Sequence, residues 1–249
     1  MIRRIGLAGA LIAPSFMVFV AQAPAATYSN ATPITIPAGA PTTTIGPATP
    51  YPSPISVAGL TGTITKLTVG ISRFSHTVPA DVGVVLVAPG GKALNLMNCS
   101  GGFPTPTPIN LVFDDQAATR LAQAPTATSG SYKPTDHCAS RDSFNPPGPG
   151  TVYGDPGPGP SPPFSTLAST FNGLSPNGTW KLFVQDFSLS DVGTIAGGWT
   201  LDLTLATTIP TTPSGPTGER AAAKKHCKKF KHNKKKRKKC LKKAKRLPV

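Results

Sequence analysis

Residues 199–206 read Trp-Thr-Leu-Asp-Leu-Thr-Leu-Ala, and this stretch decides the fold class. A large apolar side chain stands at every second position up to Leu205, with Thr or Asp between. A period of two places the apolar side chains on one face of a β-strand, as in an antiparallel sheet with one face in the core and the other in water. Residues 179–185 repeat the pattern around Trp180 and Leu182. Two half-buried strands are therefore predicted here.

Further strands are predicted upstream of these two. Residues 63–72 alternate in the same way, and residues 81–88 contain a nearly continuous apolar run. Residues 93–97 follow a Pro-Gly-Gly turn as the return arm of a hairpin, and residues 109–113 form another short strand. No segment has a helical period of comparable strength. The expected fold class is all-β: a jelly-roll-like antiparallel β-sandwich over residues 52–206, with disordered termini.

Three segments are poor in strand patterns. Residues 27–51 are rich in Thr, Pro and Ala, which leaves a linker and a first edge strand as open alternatives. Residues 145–163 contain eight prolines and five glycines. Because proline cannot donate to a ladder and glycine resists ordering, an extended surface loop is expected there. Residues 207–218 are predicted to be a linker to the basic segment that follows.

The charge of the chain is concentrated at one end. The formal net charge is +15, and residues 219–249 contain 16 Lys and Arg against the single acid Glu219. Residues 1–218 carry nine basic and nine acidic residues and are therefore neutral. The basic isoelectric point describes this tail, so it gives no support to a nucleic-acid-binding domain.

The N-terminus has the pattern of a secretory signal peptide over residues 1–26. Arg3 and Arg4 precede a mostly apolar stretch, and small residues such as Ala25 and Ala26 offer a cleavage site. The alternative is a membrane anchor, but the apolar stretch is shorter than the ~20 residues that a spanning helix needs. The expected protein is secreted, either extracellular or associated with the cell envelope, without a membrane span after cleavage.

Four cysteines fit an oxidising compartment. Cys99 and Cys138 lie in the neutral part of the chain, and Cys227 and Cys240 lie in the basic tail. Three pairings are possible, of which the two local bridges are the simplest. Four free thiols are the alternative, which is less expected outside the cell.

The succession of motifs between about residues 55 and 205 resembles the P/Homo B domain. This domain follows the subtilisin-like catalytic domain in kexin-like and furin-like proprotein convertases and in several bacterial proteases. The motifs that carry the resemblance are, in order, His76, Asp81, Pro89-Gly90, Asn177-Gly178-Thr179-Trp180, Asp186, Gly193 and Trp199. The resemblance implies a jelly-roll sandwich that stabilises a protease. Two features depart from the family: an Arg-Gly-Asp-like segment reads Pro79-Ala80-Asp81, and residues 145–163 have the character of an insertion.

No catalytic residues are predicted in this chain. A subtilisin-like protease takes its triad from a separate α/β domain, for which the sequence before the P-like region has no counterpart. His76, an Asp and Ser100 supply the three residue types of a serine-protease triad. A triad is defined by the geometry and roles of its residues, however, and not by their presence in the sequence. His76 has a simpler explanation as a turn residue before a sandwich strand.

Acidic residues at strand ends suggest a calcium site. Calcium prefers carboxylate and carbonyl oxygens, and the first candidates as ligands are Asp114, Asp115, Asp186 and Asp191. The alternative is that these carboxylates cap turns. Trp180 and Trp199 are expected in the core; exposed on a surface they would instead favour carbohydrate binding.

The basic tail is expected to be disordered or a disulfide-closed loop, because like charges at this density oppose a stable helix. The tail is expected to attract polyanions. Base-specific recognition of nucleic acid is not expected, because the tail has few aromatic residues. The candidate polyanion-binding residues are Lys228, Lys229, Lys234, Lys235, Lys236, Arg237, Lys238 and Lys239.

The expected function is that of a secreted, non-catalytic P/Homo B-like protein that its tail attaches to anionic cell-envelope polymers. One alternative is an accessory module that binds or stabilises a separate serine protease, and another is a carbohydrate-binding module. A tail that only increases solubility is the simplest alternative for residues 219–249.

Overall fold

The computed structural model describes residues 26–38, 45–105, 107–160, 162–206 and 219–247. The predicted signal peptide, up to residue 25, and the predicted linker 207–218 lie outside the described residues. The chain divides into two compact units, Met1–Thr207 and Thr208–Val249, which are described separately.

The first unit is built from strands. In chain order the strands of the described residues are β1 (Ala26–Asn30), β2 (Ile34–Ile36), β3 (Gly46–Pro47), β4 (Ser53–Val57), β5 (Thr63–His76), β6 (Val82–Val87), β7 (Ala93–Asn98), β8 (Ile109–Phe113), β9 (Thr119–Arg120), β10 (Gly130–Lys133), β11 (Thr135–Asp136), β12 (Gly178–Asp186), β13 (Gly193–Ile195) and β14 (Trp199–Ala206). One short helix, α1 (Leu167–Phe171), precedes β12.

The strands form two sheets, which confirms the all-β sandwich. The first sheet has the order β1-β14-β5-β8-β10-β9, and β13 pairs with both β5 and β2. The second has the order β11-β7-β6-β12-β3, with β4 also paired to β12. Most pairs are antiparallel, as expected, but β10 runs parallel to β8 and β9, and β11 runs parallel to β7.

One hydrophobic core lies between the two sheets. The alternation of β14 matches its burial, since Trp199, Leu201 and Leu203 are buried while the polar residues between them are partly exposed. Leu86 and Leu182 of the second sheet belong to the same buried cluster. The period of two in the sequence therefore marks the faces that the sheets turn towards each other.

The segment 27–51 contributes strands to both sheets. β1 pairs with β14 from Ala26 to Asn30, and β2 pairs with β13. β3 pairs with the end of β12 in the other sheet. Of the two alternatives that the sequence leaves open for 27–51, the described residues 26–38 and 45–51 have strands, with β1 at the edge of the first sheet.

The proline-rich and glycine-rich residues 145–163 are more buried than an extended surface loop would be. Phe144 and Tyr153 pack with Val85 and Phe183 in a second, smaller apolar cluster. Val85 lies on the face of β6 that points away from the main core, which explains why Val82–Leu86 is apolar at every position except Gly83. The loop covers the outer face of the second sheet.

Of the two alternatives expected for the tail, disorder and a disulfide-closed loop, the second unit has the disulfide closure, but the residues it joins are helical and not an open loop. Residues 219–247 form the helices α2 (Glu219–Cys227) and α3 (Lys234–Ala244) around a short 3-10 turn. Lys and Ala are intrinsically good helix formers, and a disulfide and a buried strip offset the repulsion among like charges. Among the described residues, no helix combines the length and the apolar character that crossing a bilayer requires.

Candidate functional site

The candidate site with the highest charge density is the helical hairpin of residues 219–247. One strip of α2 is shielded from water at Arg220, Ala223 and Cys227, which are spaced as one helical face. The matching strip of α3 consists of Cys240 and Leu241, which are partly buried, and Ala244, which is buried. The two helices contact each other.

Covalent and polar contacts close the hairpin. Cys227 is bonded to Cys240, with their Cα atoms 5.6 Å apart. Arg220 donates a hydrogen bond to the carbonyl oxygen of Lys245, which joins the start of α2 to the end of α3. The Asn233 side chain caps α3 by accepting a hydrogen bond from the Lys236 N–H at 3.0 Å. These contacts fix the ends of both helices.

All other positions of α3 carry positive charge. Eight of the 11 residues of α3 are Lys or Arg. All eight predicted polyanion-binding residues are exposed, namely Lys228, Lys229, Lys234, Lys235, Lys236, Arg237, Lys238 and Lys239. Among the side chains that the structure describes, which do not include that of Glu219, no tail cation forms an ion pair with a carboxylate. The whole solvent-facing surface of α3 is therefore cationic.

A weak sequence signal for these helices was available but easily missed. Four of the six residues in the two facing strips are small: Ala223, Cys227, Cys240 and Ala244. The spacing of four between Ala223 and Cys227 recurs between Cys240 and Ala244. Such pairs lie on one helical face, but their low hydrophobicity gives almost no periodic apolar signal.

The four carboxylates proposed as calcium ligands do not come together in the described residues. Asp114 forms an ion pair with Lys66, at 2.8 Å between Oδ2 and Nζ. Asp115 accepts hydrogen bonds from the N–H groups of Leu167 and Ala168, at the N-terminus of α1. Asp114 Oδ1 also accepts a hydrogen bond from the Gln116 N–H at 2.9 Å, so Asp114 caps a turn and Asp115 caps a helix end, which is the alternative left open by the sequence.

The other two proposed ligands lie near the end of β12 with a third carboxylate, Asp81. Asp186 accepts a hydrogen bond from the Ser188 N–H at 3.0 Å, and Asp191 accepts one from the Thr77 hydroxyl at 2.7 Å. Burial, then the charges of Asp191 and Asp186, raise the pKa of Asp81. The only group of three close metal-ligating side chains among the described residues combines Asp142 with the two cysteines of a disulfide.

His76 and Ser100 are engaged in separate contacts. The Nε2 atom of His76 lies 3.4 Å from Oδ2 of Asp186, and both side chains are fully buried. Its Nδ1 atom lies 2.9 Å from the carbonyl oxygen of Val78, which fixes the turn before β6. Ser100 is buried and donates its hydroxyl hydrogen to the carbonyl oxygen of Asn98 at 2.7 Å. His76 therefore has the turn role expected from its position.

Both tryptophans are core residues, as predicted. Trp180 and Trp199 are 0% and 1% exposed. Each indole N–H has a buried partner, the Pro176 carbonyl oxygen for Trp180 and the Ser53 hydroxyl for Trp199. Neither ring offers a surface on which a sugar could stack.

The two body cysteines, Cys99 and Cys138, are bonded to each other with a Cα separation of 5.2 Å. The structure thus contains the two local bridges, and no free cysteine occurs in the described residues. Two disulfides agree with an oxidising compartment.

Comparison with known proteins does not identify a family. No protein-family profile matches the chain, and no curated protein is significantly similar to it.

Proposed function

We propose that this protein is a secreted, non-catalytic β-sandwich of P/Homo B type that its C-terminal hairpin attaches to anionic polymers of the cell envelope. The observation that carries the proposal is the exposure of eight neighbouring cations, Lys228, Lys229 and residues 234–239, on a disulfide-closed helical unit. The neutral sandwich supplies no comparable charge.

The geometry of α3 favours a linear polyanion. Its 11 residues span about 16 Å at a rise of ~1.5 Å per residue. The charges on it lie within about one or two Debye lengths of each other at physiological salt, so they act together on a nearby chain of phosphate or carboxylate groups. Near an anionic surface each Lys or Arg contributes about 1 kcal/mol, and the contribution falls with salt.

The folding of the tail supports attachment over a purely solubilising role. Three lysines, Lys234, Lys235 and Lys236, occupy the first turn of α3, where the helix dipole disfavours positive charge. A bound anion relieves this repulsion. A tail that only increased solubility would require neither the bridge between Cys227 and Cys240 nor a capped helix.

The experiment is sedimentation of the purified chain with cell-wall fragments at low and high salt. Full-length protein is compared with a chain that lacks residues 219–249. The intact chain is expected to pellet at low salt and to be released at high salt, while the truncated chain stays in solution. Equal pelleting of both chains would overturn the proposal.

Two double variants distinguish a requirement for charges on α3 from a requirement for the total charge of the protein. Lys235→Gln with Lys239→Gln removes two charges from α3, and Lys92→Gln with Lys181→Gln removes two exposed charges from the sandwich. The α3 pair is expected to weaken binding by about tenfold or more, because two near-surface charges contribute about 2 kcal/mol. The sandwich pair is expected to bind like the wild type.

The second proposed function is that of an accessory module that binds or stabilises a separate serine protease. It rests on the resemblance to the P/Homo B domain and on the outer face of the first sheet, where Lys66, Thr68 and Asp202 are partly exposed. Co-purification of an active serine protease with the full chain would support it, and labelling of the purified chain itself by a covalent serine-protease probe would overturn the non-catalytic assignment.

A further inference from the structure

Two buried carboxylates meet beneath the loop that covers the second sheet. Asp136 ends β11 and is 0% exposed, and Asp155 lies in the loop and is 1% exposed. The loop is fixed above β7 because the Asn95 N–H donates to the Gly154 carbonyl oxygen at 3.0 Å and the Gly154 N–H donates to that of Ala93 at 2.7 Å. The two acids, 19 positions apart in sequence, are therefore adjacent.

Asp136 is firmly positioned. Its Oδ1 accepts a hydrogen bond from the Cys138 N–H at 2.7 Å, and its Oδ2 accepts one from Asn95 Nδ2 at 2.9 Å. The disulfide between Cys99 and Cys138 holds the end of β11 beside the end of β7. The carboxylate is thus fixed by two strands and a covalent bridge.

Three oxygen atoms around this carboxylate have no donor among the described residues: both carboxylate oxygens of Asp155 and Oδ1 of Asn95. Asp155 hydrogen-bonds to Asp136 when the two share a proton, but two ionised carboxylates offer only acceptors. Buried acceptors of this kind that have no donor destabilise the folded state, and the effect is larger for charged groups. The arrangement calls for a positive partner.

Two cations lie nearby, but neither donates a hydrogen bond to Asp155, and both donate to backbone carbonyl oxygens instead. Arg141 Nη2 lies 3.8 Å from Asp155 Oδ2, while the same guanidinium donates to the Tyr153 carbonyl oxygen. Arg120 donates to the carbonyl oxygens of Pro134 and Gly157. A third acid, Asp142, adds to the negative potential at Asp136. Burial, and then the neighbouring Asp155 and Asp142, raise the pKa of Asp136.

We propose that Asp136, Asp155 and Asn95 bind a divalent cation, calcium, which joins the loop to strands β7 and β11. The donor set consists of two carboxylates and an amide oxygen, and calcium accepts such ligands together with carbonyl oxygens and water. Soft-metal binding is disfavoured, because the nearby cysteines are oxidised to a disulfide. This site differs from the one that the sequence suggested at Asp114, Asp115, Asp186 and Asp191.

The loop is shaped around the Asp155 carboxylate. A Cβ atom at Gly159 would lie 2.9 Å from Asp155 Oδ1 and 2.7 Å from the Pro156 carbonyl oxygen. Glycine therefore lets the backbone pass close to the carboxylate, as it does where a backbone approaches a ligand.

The test is calcium titration of the full chain, after treatment with EDTA, at about pH 8. Isothermal titration is expected to give one binding site, and calcium is expected to raise the urea midpoint of the sandwich. Asp155→Asn is expected to lose at least tenfold in affinity together with the calcium-dependent rise. The matched control, Asp191→Asn, removes a carboxylate of the other cluster and is expected to bind like the wild type.

Two outcomes would overturn the proposal. If wild-type protein shows neither binding nor a shift in midpoint, the acids share a proton; Asp155→Asn then raises the urea midpoint equally with and without calcium. If Asp191→Asn loses the binding and Asp155→Asn retains it, the calcium site lies at the end of β12. Each variant is compared with the wild type. The first outcome is read from the binding and the urea midpoint of the wild type, so it does not depend on whether a variant folds.

Discussion

The indole Nε1 of Trp199 donates a hydrogen bond to the Ser53 hydroxyl at 3.0 Å. Trp199 opens β14 in the first sheet and Ser53 opens β4 in the second, so the bond crosses the core. Neither side chain reaches water, since both residues are at most 1% exposed. The pair ties the two layers together at a fully buried point.

Ser53→Ala is expected to destabilise the sandwich by about 1–3 kcal/mol, because it leaves the indole N–H buried without an acceptor. Urea denaturation followed by tryptophan fluorescence measures the loss. Ser56→Ala, on the exposed face of the same strand, is the control and is expected to change stability by less than about 0.5 kcal/mol. Equal effects of the two substitutions would show that the hydrogen bond does not contribute.

The buried acid pair predicts a pH dependence in calcium-free protein. Burial and the neighbouring Asp155 raise the pKa of Asp136 from 3.8 to about 7. The folded state thus holds a proton that the unfolded chain releases, and the stability it contributes is complete below about pH 4 and is lost as the pH rises through about 7.

The measurement is the urea midpoint in EDTA at about pH 5 and about pH 8. The wild type is expected to lose stability over this range relative to Asp136→Asn, which has no proton to release. Parallel pH profiles for the two proteins would contradict the raised pKa.

The tail disulfide predicts a redox-dependent resistance to proteolysis. Closing the 13-residue separation between Cys227 and Cys240 contributes on the order of 3 kcal/mol to the stability of the hairpin. Cys227→Ser with Cys240→Ser is therefore expected to unfold the hairpin and to accelerate trypsin cleavage within residues 224–246.

Mass spectrometry of the early tryptic fragments follows the cleavage in the tail. Cys99→Ser with Cys138→Ser is the matched control, which should leave the rate of tail cleavage unchanged. If trypsin cleaves the tail of the wild type as fast as that of the variant with Cys227→Ser and Cys240→Ser, the hairpin is not stably folded.

The distribution of charge around α3 predicts that no single face is essential. Lys235, Lys239 and Lys242 lie on one helical face, whereas Lys234, Lys238 and Lys245, which directly follows the end of α3, lie on another. Replacing either triplet with Gln is expected to weaken binding to a soluble polyanion by similar factors and to reduce its salt dependence equally. A loss confined to one triplet, measured by titration at several salt concentrations, would indicate a defined docking face.

The strands of the sandwich were largely predictable from the sequence. Residues 109–113 and 199–206 form strands as predicted, and the apolar run at 81–88 contains β6. Alternation reveals these strands because one face of each lies in the core. The run in β6 does not alternate, because the loop around Phe144 and Tyr153 covers its second face.

The acid pair could not be predicted in the same way. Asp136 and Asp155 are separated by a segment without periodicity, and their contact depends on how that loop folds back over β7. The helices of the tail could not be predicted for another reason: Leu241 is the only large apolar residue of their buried strip, so the segment lacks an apolar period and its dense positive charge indicates disorder.

The covering of the second sheet by residues around Phe144 and Tyr153 gives the sandwich two unequal sides. The first sheet keeps an open face, where Lys66, Thr68, Thr200 and Asp202 are partly exposed beside Val112. A protein that approaches the sandwich face-on meets mostly polar strand side chains on the first sheet and the loop on the second. Direct contact with the strands of the sandwich is therefore confined to the first sheet.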